Sequence, residues 1–407
     1  YLILIKDILN LDKKIEFILL KSDVLDILLK ENFNIKIINS NKKKGLIYKI
    51  KEQINLYIYI TYQILFRYYQ FLIIKIFFKI KTKNLKNISL IETFIIPNFI
   101  LEDRYFGDLK NYILSNKHFN FYYLPTFVYI KSAKLFNILK NLRKNDKIKY
   151  LFKDNFLNYT DIFKSILSCL RVRKIKIIAI CKIYNFNISQ LILSDLHSLR
   201  SVNISIESHI NFYFIKRMKE KNVKINIFLD WWENQSMDKA MSLAINTYYP
   251  NTNHIGYLGY APRKMELQLS PTKLENKIKL IPKKIVVIGS YFINKIKYFD
   301  NNLNVITGPA FRYSYLWNII KKKPANNKTI DLLIALPILY DDSKNIIDLF
   351  FDYFHSKITN INLIKDIYIK PHPVNSQSIS KYINSKNSNR LTLVYDKIEI
   401  YLKKIDL

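Results

Sequence analysis

The sequence predicts an α/β fold with two doubly wound parallel sheets, and three observations lead to this prediction. Short apolar runs with the length of buried strands alternate with longer segments in helical spacing, which is the pattern of β-α-β units. A polar stretch at 321–328 divides these units into two series. Nine of the eleven prolines and four of the six glycines lie at or after Pro250, so turn-forming residues concentrate where the alternation is clearest.

The first 170 residues contain the first strands and a long helical segment. Strands are predicted at 15–20, 35–38, 89–96 and 122–125, and helices at 22–31, at about 45–85 and within 132–170. The segment 45–85 is rich in aromatic residues and interrupts the strand–helix alternation. We therefore interpret it as a helical insertion.

Residues 204–320 contain the clearest strand–helix series. Helices are predicted at 206–221 and 236–248, the second with Ser236 as its N-cap, and strands at 223–229, 254–260, 284–289 and 305–307. Together with the preceding elements, this series predicts a Rossmann-like N-terminal domain over 1–320.

A second series follows the polar stretch 321–328, which we interpret as an interdomain linker. Strands are predicted at 330–336, 366–370 and 391–395, and helices at 343–354, at 376–383 and from 397. This predicts a partial C-terminal Rossmann-like domain over 328–407. Because about 80 residues is short for such a domain, we expect the sequence to be a fragment, cut at the C-terminus and also at Tyr1.

Composition excludes several classes of protein. Apolar residues make up 49% of the chain and aromatic residues 14%, which excludes a disordered chain. The two cysteines, Cys169 and Cys181, are too few for a disulfide framework or a four-cysteine zinc site, so a reducing compartment is expected. The glycines form neither GxGxxG nor GxxxxGK[ST], and GxSxG is absent. These absences exclude a Walker P-loop, a dinucleotide fingerprint and a hydrolase elbow.

The net charge of +33 invites a nucleic-acid-binding interpretation. Only 10 of the 65 basic residues are arginines, and the lysines are scattered among Ile, Asn, Tyr and Phe along the whole chain. This distribution favours the codon drift of an AT-rich genome over a selected basic stripe. No nucleic-acid partner is therefore expected, whereas the positive charge would still attract the chain to anionic membrane surfaces. A basic membrane- or nucleic-acid-binding module without catalysis stays open as the alternative.

The most apolar stretch runs over 56–80 but is a poor candidate for a membrane-spanning helix. It is interrupted by five polar or charged residues: Gln63, Arg67, Gln70, Lys75 and Lys79. Its mixture of aromatic and cationic residues fits a helix packed in the core and a helix at a membrane surface equally well. No signal peptide is visible, so we expect a cytoplasmic protein, with peripheral contact to the inner face of the plasma membrane as an open question.

The densest polar cluster follows the strand predicted at 223–229. Asp230, Glu233, Asn234 and Gln235 lie between that strand and a predicted helix, beside two tryptophans. Ligands bind at the carboxyl edge of open α/β sheets, and the indoles would partly desolvate a carboxylate there, which raises its pKa toward that of a general base. The alternative is a helix-capping cluster over two core tryptophans.

Three further positions are candidates for contacts with a ligand. Gly259 ends the next strand and would permit close backbone approach near Asp230; the alternative is a simple turn glycine. Arg104 lies in a loop after a strand, and Arg312 follows the short strand at 305–307; either would bind an anion, or form a structural ion pair. No His, Cys, Asp or Glu set has zinc spacing, so no metal site is expected.

Lys370 and His372 follow the strand predicted at 366–370. The sequence Lys-Pro-His-Pro holds a lysine and a histidine in a proline-stiffened loop at a strand's carboxyl end. This arrangement predicts a compact cationic site for a phosphate. The alternative is a stiff turn without a ligand.

Several motifs together resemble GT-B fold glycosyltransferases, and more narrowly those of bacterial surface carbohydrate, that is capsule and lipopolysaccharide, biosynthesis. These are distantly similar to polysialyltransferase and CDP-glycerol glycerophosphotransferase types. The motifs are Asp-Arg-Tyr-Phe (103–106), Leu-Pro-Thr-Phe (124–127), Asp-Trp-Trp-Glu-Asn-Gln…Asp-Lys (230–239), Tyr-Pro-Asn-Thr (249–252), Gly-Tyr-Leu-Gly-Tyr (256–260), Pro-Thr-Lys-Leu-Glu (271–275), Gly-Pro-Ala-Phe-Arg-Tyr (308–313) and Lys-Pro-His-Pro (370–373).

The resemblance implies a metal-independent transferase that takes a sugar from a nucleotide-activated donor and needs no cofactor. It implies an acceptor-side N-terminal domain and a donor-binding C-terminal domain, with a saccharide or lipid-linked acceptor. Lys370 and His372 would contact the donor phosphates, and Glu233 or Asp230 would be the acid/base group. A polyol-phosphate transferase of the CDP-glycerol type is the alternative within the same fold. The nucleotide-binding loops of the later donor domain have no counterpart in this sequence.

Overall fold

Alternating strands and helices run through the part of the chain that the computed structural model describes. The described residues are 17–20, 36–39, 46–80, 85, 87–96, 103, 105–115, 120–128, 130–145, 148–177, 180–183, 186–263, 266–317, 330–355, 364–372, 375–385, 391–396 and 398–402. The chain divides into two compact units, Tyr1–Arg312 and Tyr313–Leu407, and each is described by itself.

Most strands are short and apolar, as expected for strands of a buried parallel sheet. They are β1 (Phe17–Leu20), β2 (Lys36–Asn39), β3 (Ile88–Ile95), β4 (Phe121–Phe127), β5 (Lys182–Ile183), β6 (Phe186–Asn187), β7 (Ile225–Trp231), β8 (Asn253–Leu258), β9 (Lys284–Val287), β10 (Val305–Thr307), β11 (Ile330–Ala335), β12 (Ile364–Lys370) and β13 (Leu391–Leu393).

The helices connect these strands and cover the sheets. They are α1 (Leu46–Phe77), α2 (Leu109–Ser115), α3 (Ser132–Arg143), α4 (Tyr159–Arg173), α5 (Ser189–Leu196), α6 (Leu199–Glu220), α7 (Ser236–Tyr248), α8 (Lys273–Lys277), α9 (Tyr291–Ile296), α10 (Tyr340–His355), α11 (Ser376–Asn384) and α12 (Ile398–Leu402), with 3₁₀ turns at Lys153–Asn155, Leu267–Leu269 and Phe311–Leu316.

The main sheet of the first unit has six strands in the order β10-β9-β8-β7-β3-β4, and every neighbouring pair is parallel. From β3 the chain winds outward in one direction to β4, and it later returns to the other side of β3 with β7, β8, β9 and β10. The strand order therefore reverses between β3 and β7. In open α/β sheets, connections on the two sides of such a reversal leave a crevice at the carboxyl ends of the strands.

Both faces of this sheet are buried. Alternate residues of β3 and β7, such as Leu90 and Phe228, pack with helices α1, α4, α6 and α7 on one face. Residues of opposite parity, such as Ile91 and Trp231, pack with the Phe106 region and α2 on the other. Helices on both faces of a parallel sheet are the doubly wound arrangement that the sequence predicts.

The second unit contains a parallel sheet of three strands in the order β11-β12-β13. Its core is formed by apolar residues of these strands and of helices α10 and α11. The predicted α/β class, with a parallel sheet in each of two parts of the chain, is confirmed. The predicted linker 321–328 and the predicted helix 22–31 lie outside the described residues.

Where the structure describes the predicted elements, it contains them, with the predicted bounds or with shifted ends. It adds short elements that were not predicted: β5, β6, α2, α5, α8 and α9. The helix predicted within 45–85 is α1, a single helix of 32 residues. Among the described residues, no helix is both long and apolar enough to cross a membrane. The prediction of Ser236 as the N-cap of α7 is wrong by one residue. Gln235 is the N-cap, and its backbone N–H donates to the side chain of Asp238, the third residue of the helix. This is the hydrogen bond of a capping box.

Candidate active site

A cavity of about 620 Å³ lies in the first unit, where β3, β4 and β7 end. It is at the point where the strand order reverses, the usual place of ligand sites in open α/β sheets. Its roof is formed by α1 and by the first turns of α6. It is lined by Tyr59, Tyr62, Gln63, Phe66, Arg67, Phe94, Tyr105, Thr126, Phe127, Val128, Ile130, Asn203, Ile204, Glu207, Trp231, Glu233, Gln235, Met237 and Asp238.

Aromatic rings form much of the cavity wall and hold one another in place. Tyr105 packs edge-on against Trp231 with ring centroids 4.7 Å apart, and Phe94 packs against Tyr105 at 5.3 Å. On its other side, Trp231 stacks on Tyr260. Such a wall offers flat apolar surfaces next to a few polar groups, the composition typical of sites for small organic ligands.

Glu233 is one of the carboxylates that line the cavity, and both of its oxygens accept hydrogen bonds. Trp231 Nε1 donates to Oε1 at 2.9 Å, and Gln235 Nε2 donates to Oε2 at 2.7 Å. Between them, Asn234 has a φ of 55° and turns the backbone, so that Glu233 and Gln235 both line the cavity. A carboxylate oriented in this way, with lone pairs left to accept a proton, has the geometry of a general base.

Asn234 itself is buried and turns away from the cavity lining. Its Nδ2 donates to the carbonyl of Gln268 at 2.8 Å, which ties the loop after β7 to the 3₁₀ turn Leu267–Leu269. Of the sequence-predicted cluster, Glu233 and Gln235 therefore line the cavity, and Asn234 anchors the loop that carries them.

Asp238 fixes the backbone of that loop through hydrogen bonds. Its Oδ2 accepts the backbone N–H groups of Glu233 and Gln235, at 2.8 and 2.9 Å. Burial, together with the negative charges of Glu92 and Glu233, raises the pKa of Asp238 to about 7, although the two hydrogen bonds act in the opposite direction. The Asp238 carboxyl is therefore partly protonated near neutral pH.

Replacing Asp238 with asparagine is expected to weaken the pH dependence of stability. The pKa of Asp238 is raised above its ordinary value of 3.8, so between these values the folded chain binds more protons than the unfolded chain. Its contribution therefore makes the free energy of unfolding fall as pH rises from about 4 to 7. Urea midpoints measured across this range should decline less in Asp238→Asn than in the wild type. An equal decline in both proteins would contradict the raised pKa.

Asp230 lies under the cavity floor and is fully buried. The register pairs Ile91 with Leu229, so Glu92 and Asp230 are side by side on β3 and β7. Burial and the negative charge of Glu92 raise the pKa of Asp230 well above its ordinary value. His254 Nε2 is 3.9 Å away, and burial lowers the pKa of this histidine to about 3. Both groups are therefore uncharged at neutral pH, and neither lines the cavity.

The buried ammonium group of Lys153 compensates the negative charge of Glu92. Sequence reasoning did not identify this lysine. Lys153 Nζ contacts Glu92 Oε1 at 2.9 Å, Thr126 Oγ1 at 2.8 Å and Asn211 Oδ1 at 2.7 Å. Burial alone would raise the pKa of Glu92, but the Lys153 ammonium lowers it. Glu92 therefore carries the charge and Asp230 the proton. The signal in the sequence was a single charged residue inside a strand that is otherwise uncharged and mostly apolar.

Gly259 and Arg312 both lie close to the Trp231 indole. A Cβ atom at position 259 would be 2.3 Å from Trp231 Cζ3, so the indole rather than a ligand occupies the space beside this glycine. The Arg312 guanidinium lies 5.7 Å from the centre of the indole ring, in cation–π contact. Both positions thus support the tryptophan that orients Glu233.

Replacing Gly259 with alanine is expected to displace the indole and lower stability by about 1–3 kcal/mol. Gly289→Ala is the matched control, because a Cβ there would meet Phe292 at an ordinary contact distance of 3.6 Å. Tryptophan fluorescence and urea midpoints measure both variants. Equal midpoints for the two alanine variants would show that the indole does not need the space beside position 259.

Lys370 and His372 lie in the second unit, at the carboxyl end of β12, the central strand of its sheet. Lys370 Nζ donates to the backbone carbonyls of Tyr395 and Asp396, and the His372 carbonyl accepts from Asn375 N–H at 3.1 Å. The strand thus places both residues at the sheet edge where ligands bind. Arg104 lies outside the described residues.

Sequence reasoning also missed the cavity roof. Tyr59, Gln63 and Arg67 of α1 line the cavity, and Arg67 forms an ion pair with Glu207 of α6. Their spacing of four residues is the signal that places them on one helix face. Because Arg67 and Glu207 compensate each other, the remaining carboxyl groups of the described lining are those of Glu233 and Asp238, and Asp238 is partly protonated near neutral pH. In the described part of the chain, no three His, Cys, Asp or Glu side chains are placed to hold a metal ion.

Comparisons with known proteins give likenesses to solved structures only, and two of these are described below. No protein-family model matches the chain, and no curated protein matches its sequence. The Candida albicans trehalose-6-phosphate phosphatase N-terminal domain is similar with a TM-score of 0.39 and 13% identity, over 80% of this chain and 76% of that one. The α,α-trehalose 6-phosphate synthase from Burkholderia multivorans is similar with a TM-score of 0.40 and 8% identity, over 79% and 74%.

Proposed function

We propose that this chain is a glycosyltransferase that moves a sugar from a nucleotide-activated donor to a saccharide acceptor. The observation that carries the proposal is Glu233, a carboxylate held on both oxygens in an aromatic cavity at the reversal point of a parallel sheet. The motif resemblance to surface-carbohydrate transferases supports the finer proposal, in which the acceptor is a growing cell-surface polysaccharide or a lipid-linked saccharide. With such an acceptor, the enzyme would work at the inner face of the plasma membrane.

In the proposed reaction, Glu233 acts on the acceptor. A carboxylate oxygen takes the proton of an acceptor hydroxyl, whose oxygen then bonds to the anomeric carbon of the donor sugar. The bond between that carbon and the nucleotide phosphate oxygen breaks, and the phosphate leaves with the electron pair. Lys370 and His372, at the carboxyl edge of their own sheet, are proposed to bind the leaving phosphate as its charge develops.

The lining of the cavity supports an uncharged acceptor. Apolar faces of sugar rings pack on rings such as Trp231 and Tyr105, while Gln235 and Gln63 offer hydrogen bonds to hydroxyls. The Glu233 carboxylate repels a phosphorylated or carboxylated sugar, and Arg67 is already paired with Glu207. We therefore propose that neutral saccharides are accepted in preference to sugar phosphates.

A thermal-shift screen against CMP-, CDP-, UDP- and GDP-sugars tests the donor. A donor that binds the folded chain raises the melting temperature by mass action. We expect one nucleotide class to stabilise the protein and its free nucleoside phosphates to do so more weakly. Stabilisation by CDP-glycerol alone would instead support the polyol-phosphate alternative. Stabilisation by nucleic acid alone, with no effect of any nucleotide sugar, would support the basic binding module.

Replacing His372 with alanine is expected to remove most of the donor-induced thermal shift while leaving the melting temperature without donor nearly unchanged. The imidazole is proposed to contact the donor phosphate, and it is not part of the apolar core of the second unit. Ser385→Ala, at the end of α11 in the same unit, is the control. An unchanged donor shift in His372→Ala would contradict the assigned role of this residue.

A further inference from the structure

Helix α1 carries a long stripe of exposed apolar side chains that lies outside the core and, apart from Tyr62, outside the cavity lining. The stripe follows one side of the helix at spacings of three and four residues, over about 35 Å. Its members are Ile54, Tyr57, Ile58, Tyr62, Leu65, Tyr69, Leu72, Ile76 and Phe77. Single exposed apolar residues are ordinary, whereas a contiguous row of nine marks an interaction surface.

The other sides of α1 already have partners. Leu56, Ile60 and Phe71 pack in the main core, and Ile74 and Phe78 pack against α3 and β3. The stripe touches the cavity lining only at Tyr62, which belongs to both. The helix therefore presents three distinct faces, and the stripe is the face left to solvent.

The apolar surface continues beyond α1 onto neighbouring helices. Phe136 of α3 packs edge-on against Phe77 at 5.5 Å and is itself exposed. Tyr159 and Phe163 at the start of α4 are also exposed, and Tyr159 contacts Phe71 at 4.8 Å. The exposed ring of Phe136 thus extends the stripe at the end of α1, while Tyr159 and Phe163 add exposed apolar area on α4.

Cationic side chains border this surface. Residues 54–78 contain no acidic side chain, and neither does α3. Five exposed cations follow α1 or belong to α3 and its carboxyl end: Lys79, Lys134, Lys140, Arg143 and Lys144. Arg143 Nη1 donates to the carbonyl of Phe77, a member of the stripe, at 2.6 Å. Apolar side chains with tyrosines and a basic margin are the composition of helices that lie in the headgroup layer of a bilayer.

We propose that the exposed face of α1 docks on an anionic lipid bilayer, with the helix axis parallel to the membrane surface. The charge of the basic margin complements phosphate headgroups, and the stripe supplies apolar area to the acyl boundary. Tyr62 connects this docking face to the cavity, so the cavity opens beside the membrane surface. The proposal identifies α1 as the element that contacts the membrane. It rests on the proposed function only where that function assumes a lipid-linked acceptor.

Vesicle co-sedimentation tests the docking face. The whole chain is mixed with phosphatidylcholine vesicles that contain phosphatidylglycerol, or with phosphatidylcholine vesicles alone. We expect binding to the anionic vesicles that weakens as salt is added, and a loss of about tenfold or more in affinity when Leu65 is replaced with glutamate. Leu274→Glu is the matched control, because Leu274 on α8 is 63% exposed and Leu65 is 65% exposed.

The outcomes separate the docking face from the catalytic proposal. Equal vesicle binding by Leu65→Glu and Leu274→Glu overturns the inference. It is also overturned if the wild type is a dimer, and Leu65→Glu makes it a monomer without changing its vesicle binding. Circular dichroism confirms that both variants fold. Transfer to a water-soluble saccharide should be unchanged in Leu65→Glu, since Leu65 does not line the cavity. If neither the wild type nor the two variants transferred sugar, the proposed function would be contradicted, but the vesicle-binding result would still hold.

Discussion

Replacing Glu233 with glutamine is expected to lower turnover by about 10²- to 10⁴-fold, the usual contribution of a general base. Glutamine keeps the size of the side chain and one oxygen that accepts from Trp231 Nε1. Its new NH2 group faces Gln235, whose amide can turn so that its oxygen accepts, and the loop should then keep its shape. It cannot take a proton from an acceptor hydroxyl. The variant should bind saccharide and nucleotide sugar nearly as well as the wild type, so that the loss lies in turnover rather than in affinity. Steady-state rates of nucleotide release measure the effect.

Glu220→Gln is the control for this experiment. Glu220 is also a partly exposed glutamate of the first unit, but it forms an ion pair with Arg217 at the end of α6 and does not line the cavity. Its replacement should leave turnover unchanged. If Glu233→Gln retained turnover close to that of Glu220→Gln, Glu233 would not be the base.

Replacing Lys153 with methionine is expected to lower the free energy of unfolding by about 3–5 kcal/mol. Methionine fills much of the volume of the lysine, but it leaves Glu92 buried without its cation and Asn211 Oδ1 without its donor. The loss should appear in the urea midpoint followed by tryptophan fluorescence, since Trp231 and Trp232 are both buried in the first unit.

A second substitution separates the uncompensated charge from lost packing. In the double variant Lys153→Met with Glu92→Gln, the buried charge is removed, while the glutamine amide still accepts from Thr126 Oγ1. We expect the double variant to recover more than half of the stability lost by Lys153→Met. A double variant less stable than the single one would show that the loss does not come from the unpaired carboxylate.

The elements of the fold were predictable because their apolar periods are strong. The strand at 305–307 and the helix at 236–248 have the predicted bounds in the structure, and the paired parallel strands bring Gly259 toward the end of β7 as expected. The order of strands was not predictable from local pattern. Insertion of β7 beside β3 depends on packing between distant segments, and this insertion creates the cavity.

The candidate site was predictable only in part. Polar residues at the end of an apolar strand identified the Asp230–Gln235 loop. The side chains of this loop have different environments because side-chain direction alternates along a strand. The positive φ of Asn234 then changes the direction of the backbone after the strand. The sequence therefore did not separate the buried Asp230 from the cavity-lining Glu233. The partners from α1, α6 and Lys153 come from remote parts of the chain, and local pattern carries no information on such contacts.

Acceptor-dependent sugar transfer, followed by NMR of the products, tests the central claim most directly. The wild-type chain is incubated with the nucleotide sugar that stabilises it and with a neutral oligosaccharide. We predict that nucleotide release and a new glycosidic linkage appear in equal amounts, that both need the saccharide, and that both nearly vanish in Glu233→Gln. Nucleotide release at the same rate with and without saccharide, with no new linkage formed, would contradict the account.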